Sequence, residues 1–470
     1  MDEARTAELP QSPSTAGLLL DRLRGVWRDV AEQFGRTRGL APDLPPEDAD
    51  IVRAQMLDCL DAHGGEVASR SRAAVLGRSY LGLNEQGRLR FLRILAEEFG
   101  TDSDAVDDAM AAVQAARNPA QRLKTEQRLR QALEGNRVKI LSHFNTLPEG
   151  VKFLVDLRAE LLAHAKGDAA LAVLEVDLRD LLASWFDIGF LELHRITWRS
   201  PALVLEKIAG YEAVHAIESW RDLKNRLDSD RRFFAFFHPR MPDEPLIFVE
   251  VALVKGMSGN IVELLDEKAP VGDPSRADSA IFYSITSAQR GLAGISFGNF
   301  LIKRVADDLG REFPNLKTFA TLSPMPGFRN WLEAQLAKGN PLTAAEQRAL
   351  AGAGMREGLA AALSQPWSAK PAMTEALRGP MMRLAAVYLC AHHENGGRAL
   401  DPVAHFHLSN GARLERINWL ADVSEKGLGQ SAGMMANYLY RLADIEENHE
   451  AYTGQGQIVT STAIRSLAKG

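Results

Sequence analysis

The chain has 470 residues, of which 46% are hydrophobic and 25% are charged, which favours a globular protein of two or more domains. The net charge of −6 provides no general positive field, so nucleic acid is not an expected partner. The two cysteines, Cys59 and Cys390, stand far apart, which argues against a disulfide framework and against structural zinc.

Targeting and membrane signals are not evident in the sequence. No apolar run reaches the length of a membrane span, and the acidic residues near the start are atypical of signal and transit peptides. We therefore expect a cytoplasmic protein that does not contact a membrane.

The first half of the chain has the composition of a helical bundle. Residues 16–190 are rich in Leu, Ala, Arg and Glu, and prolines stand between or at the starts of the periodic segments. We predict helices over residues 17–34, 46–63, 66–81, 84–99, 102–116, 119–135, 149–166 and 170–186. Because no catalytic constellation is visible there, residues 1–189 are expected to form a helical domain for support or oligomerisation.

Strand patterns begin after residue 190, and residues 190–470 are expected to form the second domain. Apolar runs at 231–237 and 246–254, separated by a proline-rich turn, predict two antiparallel strands, the second central in its sheet. A strand at 280–285, a glycine-rich loop at 291–298, a helix at 297–313 and a strand at 316–322 then follow. This order predicts two parallel strands joined by a right-handed crossover.

The remainder predicts mostly helix, over 328–337, 343–363, 373–393 and 428–446. Residues 405–409 alternate between polar and apolar, which is typical of a half-buried strand with His405, His407 and Ser409 on one face. The following Asn410-Gly411 pair suits a tight turn.

Three features could carry chemistry. Unpaired N–H groups at a glycine-rich loop before a helix can hold a pyrophosphate. The loop matches neither GxGxxG nor a Walker motif, and glycines before a helix often mark only the boundary between two elements. Ser323 follows a strand at the sheet edge where ligands gather, although Ser-Pro turns are common. His407 could exchange a proton near neutral pH, with a purely structural histidine as the alternative and His238 and His405 as competitors.

Several long strings make the sequence recognisable. They are RITWRSPA at 195–202, LEKIAGYEAVH at 205–215, HPRMPDEPLIFVEVAL at 238–253, GLAGISFGNFLIKRVADDLGREFPNLKTFATLSPMPGF at 291–328, and PVAHFHLSNGARLERINWLADVSEKGLGQSAGMMANYLY at 402–440. Over residues 190–445 the chain resembles the malonyl-CoA decarboxylases.

The resemblance implies an α+β protein with an N-terminal all-α helical bundle followed by a GNAT (acetyltransferase-like) α/β catalytic domain with a mixed sheet. It implies Ser323 and His407 as catalytic residues, with Ser284 and Tyr440 also contacting substrate. One difference lies in the loop, where the family pattern has a glutamate after Gly-Val and this chain has Ser296 after Gly294-Ile295.

The implied reaction is the conversion of malonyl-CoA to acetyl-CoA and CO2, without a metal or an organic cofactor. The CoA portion is expected to bind the loop through six residues, namely Gly291, Gly294, Ser296, Phe297, Gly298 and Asn299. Nearby cations would be Arg290, Lys303 or Arg304, and a homo-oligomer, dimer or tetramer, is expected. The alternatives are an acyl-CoA-dependent N-acyltransferase and a CoA-binding regulatory protein without catalysis.

Overall fold

A computed structural model of the chain describes residues 27, 39–61, 63, 65–295, 301–393 and 396–469. Eight helices make up the described helical region. They are α1 (Pro46–Leu60), α2 (Gly65–Gly82), α3 (Glu85–Glu98), α4 (Ser103–Gln114), α5 (Pro119–Leu133), α6 (Asn136–His143), α7 (Gly150–His164) and α8 (Ala169–Trp185).

Local sequence signals set the boundaries of these helices. The side chains of Asn84, Asp102, Asn118 and Asp168 each accept a hydrogen bond from a backbone N–H in the first turn of the helix that follows. Seven of the predicted helices are therefore confirmed within a few residues, whereas the short helix α6 was not predicted. The predicted helix at 17–34 lies outside the described residues except for Trp27, which is fully buried.

A mixed sheet follows the helical region. Its eight strands are β1 (Glu192–Ile196), β2 (Arg231–Phe237), β3 (Ile247–Val254), β4 (Ser279–Ser287), β5 (Thr318–Thr321), β6 (Ser323–Pro324), β7 (Arg413–Asn418) and β8 (Met435–Leu439). The first four are antiparallel neighbours in chain order, and β4 and β5 are parallel. β8 lies antiparallel to the β5–β6 line on one side and to β7 on the other.

The strand predictions are largely confirmed. β2 and β3 pair as predicted, and β3 lies inside the sheet with only Val254 not fully buried. β4 and β5 are the predicted parallel neighbours, and helix α12 joins them. The short strands β1 and β7 were not predicted.

Twelve further helices lie in the described part of the chain after residue 190. They are α9 (Ala202–Tyr211), α10 (Trp220–Arg226), α11 (Ile261–Leu265), α12 (Leu301–Glu312), α13 (Phe328–Lys338), α14 (Ala344–Gly352), α15 (Leu359–Leu363), α16 (Pro371–Leu389), α17 (Pro402–Ser409), α18 (Glu425–Ser431), α19 (Ile445–Gln455) and α20 (Thr462–Lys469). The predicted helix at 343–363 is divided into α14 and α15, because Gly354 and Gly358 both adopt positive φ.

The predicted strand at 405–409 is wrong, because these residues form the end of helix α17. Asp401 caps the helix by accepting from the backbone N–H of Ala404 over 2.8 Å, and Pro402 occupies the first turn. Gly411, with φ of 79°, ends the helix instead of forming a hairpin. His405 and His407 therefore point in different directions, and only His407 is buried.

The predicted helix at 428–446 is also wrong. Ala432 and Gly433 both have positive φ, which ends α18 and starts a new direction for the chain. The next residues form β8, and all five of its side chains are buried. Burial inside the sheet therefore outweighs the helix-favouring composition of the segment.

The predicted α+β architecture, a helical region followed by a mixed-sheet domain, is confirmed. Among the described residues, no helix combines the length and apolar character needed to cross a bilayer. The helical region ends at Trp185 and the first strand begins at Glu192, while the domain boundary at residues 189 and 190 stays a prediction.

Candidate active site

The candidate site lies where two parallel strands separate. The last bond between them runs from the backbone N–H of Leu322 to the carbonyl of Phe282 over 2.9 Å, and β4 then continues to Ser287 paired only with β3. A cavity of about 250 Å³ opens at this point, and helix α17 covers it. Its lining is mostly apolar and consists of Val214, Ile247, Phe282, Tyr283, Ile285, Ser287, Ser323, Pro324, Pro402, Val403, Phe406 and His407.

Ser323 and His407 meet at the wall of this cavity. Ser323 Oγ lies 2.9 Å from His407 Nε2, although the two residues are 84 positions apart in the chain. Both are almost fully buried, at 5% and 3% exposure. Ser323 reaches this position because it follows β5, and His407 because it lies on the buried side of α17.

The hydrogen bonds around the pair have a definite direction. Ser323 donates its hydroxyl hydrogen to Thr321 Oγ1 over 2.8 Å, so Ser323 Oγ accepts from His407 Nε2–H. His407 Nδ1 is then an acceptor, and it lies 2.9 Å from the Tyr440 hydroxyl, which donates to it. Thr321 is itself held by the backbone N–H of Tyr438 over 3.1 Å. The chain of bonds fixes the imidazole in its Nε2–H tautomer.

The imidazole of His407 is neutral in this environment. Burial lowers the pKa of His407 to about 3, because the imidazolium would lose its hydration. The ring of Tyr438 stacks on the imidazole with centroids 4.6 Å apart, and this contact fixes the plane of the ring. Burial raises the pKa of the Tyr440 phenol, which keeps it a hydrogen-bond donor.

Ser284 does not line the cavity but belongs to a polar cluster beside it. Its hydroxyl donates to the Glu212 carboxylate at 2.8 and 2.9 Å, and Thr286 donates to the same carboxylate over 3.1 Å. Glu212 also accepts from the backbone N–H groups of Val214 and His215. Glu212 therefore ties the loop that bears Val214, a cavity residue, to strand β4.

A second carboxylate lies next to this cluster. Glu250 on β3 is fully buried and forms an ion pair with Arg226 over 3.3 Å. Burial, together with the negative charge of Glu212, raises the pKa of Glu250 to about 8, against the lowering effect of Arg226. Arg226 also pairs with Asp222 over 2.8 Å, so its guanidinium is shared, and the neutral form of Glu250 is favoured.

The described part of the glycine-rich loop comprises residues 291–295. Gly291 is buried, and Gly294 is exposed with φ of 76°, a conformation that favours glycine. Ser296, Phe297, Gly298 and Asn299 lie outside the described residues, so their predicted contacts with substrate stay predictions.

The three predicted cations around the loop have different surroundings. Arg290 is exposed, and Lys303 forms an ion pair with Glu446 over 2.9 Å. Arg304 donates to the carbonyl of Leu191 and lies over the ring of Phe236.

The two competing histidines lie elsewhere. His238 packs against Phe186 and lies within hydrogen-bond distance of the Trp185 carbonyl. The Nδ1 atom of His405 lies 2.7 Å from the hydroxyl of Tyr452. Neither histidine lines the cavity that holds Ser323.

Sequence reasoning missed Thr321, Tyr438 and Glu212. Thr321 stands two residues before Ser323, so the two-residue period of a strand places both on one face, and this signal was available. The same period relates Tyr438 to Tyr440, but only once β8 is recognised as a strand. Glu212 lies in a short connection after α9, where no periodicity indicates its partner.

Two protein-family models match this chain. The model described as "Malonyl-CoA decarboxylase C-terminal domain" matches residues 189–470, and the one described as "Malonyl-CoA decarboxylase N-terminal domain" matches residues 99–186. The chain belongs to the malonyl-CoA decarboxylase family. Members of this family are carboxy-lyases, so the chain is classed as an enzyme.

Three malonyl-CoA decarboxylases are similar to this chain over most of its length. Mitochondrial malonyl-CoA decarboxylase from Mus musculus is 41% identical over 437 residues, which are 88% of this chain and 85% of the mouse protein. The solved structure of malonyl-CoA decarboxylase from Rhodopseudomonas palustris has 43% identity and a TM-score of 0.81, covering 89% of this chain and 99% of that one. The one from Agrobacterium vitis has 40% identity, the same TM-score and the same coverage.

Proposed function

We propose that this chain converts malonyl-CoA to acetyl-CoA and CO2, with Ser323 and His407 assisting the formation and protonation of an enolate. The observation that carries the proposal is the 2.9 Å contact between Ser323 Oγ and His407 Nε2 at the wall of an apolar cavity. Membership of the malonyl-CoA decarboxylase family supports the choice of substrate.

Decarboxylation requires stabilisation of negative charge on the thioester oxygen. When the bond to CO2 breaks, its electrons enter the carbonyl group, and the thioester becomes an enolate. In our proposal the Ser323 hydroxyl leaves Thr321 and donates to the malonyl group, at its carboxylate or its thioester oxygen. The bond from His407 Nε2 to Ser323 Oγ meanwhile holds the serine in position.

The apolar lining of the cavity also favours the reaction. The carboxylate of the substrate is a localised charge that prefers water, whereas CO2 is neutral and the enolate spreads its charge. Val214, Ile285, Val403 and Phe406 offer no hydrogen bond from their side chains to a carboxylate. The apolar cavity therefore destabilises the charged carboxylate more than the neutral CO2 that it becomes.

The reaction consumes one proton per turnover, because a malonyl carboxylate becomes CO2 and the remaining carbon becomes a methyl group. We propose that His407 delivers this proton. A carboxylate about 4 Å from the imidazole contributes about 4 kcal/mol at an effective dielectric constant near 20, or about 3 pKa units. The substrate carboxylate therefore raises the pKa of His407 from its low value in the free protein. In this proposal the added proton binds Nδ1, so that Tyr440 Oη accepts from it instead of donating, and the Nε2 hydrogen passes from Ser323 Oγ to carbon after CO2 departs.

The nucleotide portion of the substrate is proposed to bind at the glycine-rich loop. Backbone N–H groups of the loop, residues 291–298, would hold the pyrophosphate. In its described part the N–H groups of Leu292, Ala293 and Ile295 already donate to backbone carbonyls, so Gly294 and the residues after 295 are the proposed donors. Arg290 is the proposed nearby cation, because it is exposed beside the loop, whereas Lys303 and Arg304 already have contacts of their own.

Several broader expectations from the sequence also remain proposals. We propose residues 1–189 as a helical domain for support or oligomerisation, and residues 190–470 as the catalytic domain. A homo-oligomer and a cytoplasmic location are likewise proposed.

The activity is tested by incubating the purified protein with malonyl-CoA alone and measuring acetyl-CoA and CO2. Formation of both without an amine supports a decarboxylase, whereas an N-acyltransferase would leave malonyl-CoA unchanged. If malonyl-CoA remains intact under all conditions tested, the proposed function is wrong.

The role of His407 is tested by the variant His407→Asn. General acid assistance is worth about 10²- to 10⁴-fold, so turnover should fall by at least that order while CoA binding is retained. His405→Asn is the matched control, because His405 lies on the same helix but contacts Tyr452 instead of Ser323. Full activity of His407→Asn would remove His407 from the mechanism.

A further inference from the structure

The glycine-rich loop begins at a contact with the helical region. The turn at Arg290–Leu292 packs on helix α7, and Gly291 lies against the backbone of Val155. A Cβ atom added to Gly291 would lie 1.7 Å from the carbonyl oxygen of Val155. No side chain fits there, so the glycine at this position serves close packing between the loop and the helix.

A buried arginine fixes the same turn. Arg158, on α7, is 2% exposed and donates from Nη1 to the carbonyl oxygen of Gly291 over 2.6 Å. Its Nε and Nη2 atoms donate to Glu175 Oε1 on α8, at 3.0 and 2.6 Å. The guanidinium plane is therefore held by Glu175, and its remaining donor is directed at the loop.

The turn is also held from the side of the sheet. Gln289 is buried and donates to the carbonyl oxygen of Pro245 over 3.0 Å, and the backbone N–H of Ala288 donates to the carbonyl of Leu246. The loop thus leaves the sheet domain at Gln289 and is fixed by the helical region two residues later. Within the turn Gly291, Leu292 and Ile295 are buried, whereas Arg290, Ala293 and Gly294 are exposed.

We propose that Arg158 is a positioning residue for the described start of the glycine-rich loop, residues 290–295, and that the helical region thereby takes part in substrate binding. The inference rests on the proposed function, since it assigns the loop to the CoA portion of malonyl-CoA. Arg158 acts through the Gly291 carbonyl and does not line the cavity that holds Ser323 and His407. Its loss should therefore weaken binding of the CoA portion and leave the chemical step nearly unchanged.

The test compares steady-state kinetics of Arg158→Met with those of the full-length wild type. We expect KM for malonyl-CoA to rise about tenfold, kcat to stay within about twofold, and Kd for CoA measured by calorimetry to rise in parallel. Arg158→Lys, which keeps one donor, should recover part of the loss.

A matched control separates positioning from general destabilisation. Arg137 is also buried, and it likewise bonds a carboxylate, Asp177, and a backbone carbonyl, that of Ala96, but both partners belong to the helical region. Arg137→Met should lower the melting temperature and leave KM unchanged.

A second variant covers the case in which Arg158→Met does not fold. Glu175→Gln retains the arginine but weakens its hold, so it should raise KM to a smaller extent. If KM stays at the wild-type value in Arg158→Met or, where that variant is unfolded, in Glu175→Gln, the inference is overturned. Failure of the wild type to decarboxylate malonyl-CoA would instead refute the proposed function.

Discussion

Acidification should destabilise the folded protein through His407, and the size of this effect follows from its burial. The pKa of His407 is lowered to about 3 in the folded protein, whereas an unfolded chain keeps the ordinary value of 6.5. Between these two values the unfolded state binds more protons than the folded state, so stability falls as pH falls from 6.5 toward 3. The full difference amounts to about 5 kcal/mol, and the part expected by pH 5 is about 2 kcal/mol.

Urea denaturation of the wild type and of His407→Asn measures this contribution. Other buried histidines, such as His215, also lower the free energy of unfolding on acidification. Because they are present in both proteins, their contributions cancel when the two free energies are compared. The wild type should be more stable than the variant at pH 7.5, and that advantage should shrink by about 2 kcal/mol at pH 5. A difference that is the same at both pH values would show that His407 is not held neutral by burial.

Four further substitutions follow from the same geometry. Ser323→Ala should lower kcat by about 100-fold with Kd for CoA unchanged, because the lost donor acts on the acyl group, and rapid-quench kinetics would check this. Tyr440→Phe removes the donor to His407 Nδ1 and should lower kcat by about tenfold without changing KM, which steady-state assays measure. Glu212→Gln should lower the melting temperature and lower kcat, because both hydroxyl bonds and the Val214 loop depend on its carboxylate. Gly411→Ala should cost about 3 kcal/mol in denaturant unfolding, because φ is 79° and the new Cβ would meet the Ile445 carbonyl oxygen at 2.2 Å.

Periodicity in the sequence was sufficient for most of the helical region. Its helices have polar caps and prolines at their starts, and tertiary contacts do not override these local signals. Strands β2 and β3 were equally evident, since the run that forms β3 is apolar except for Glu250 and is buried on both faces, as expected of a central strand. Cap residues, prolines and apolar runs therefore predict those helices and strands that are buried in the same way along their whole length.

The errors concern short segments near the site. In residues 405–409 the alternation of polar and apolar residues was accidental, and the Asp401-Pro402 cap signal four residues earlier was the better guide. In β8 the composition favours a helix, but pairing with strands on both sides determines the outcome. The residues that contact these two segments lie elsewhere in the chain, so a short stretch of sequence does not reveal them.

The candidate site was predictable only in part. Family resemblance selected Ser323, His407 and Tyr440, and the structure brings these three together through two hydrogen bonds. The contact between Ser284 and Glu212 joins residues 72 positions apart, and sequence spacing contains no information about it. The catalytic roles of all these residues stay predictions.

The position of β8 has a consequence for biosynthesis. Because β8 follows β5, β6 and β7 in the sequence and yet lies between the β5–β6 line and β7, a ribosome-bound chain exposes an unpaired strand edge until residues 435–439 emerge. Tyr440, which orients the imidazole, follows directly. A nascent or truncated chain that ends before this segment is therefore both incomplete in its site and prone to aggregation, and the site forms only after Tyr440 has been synthesised.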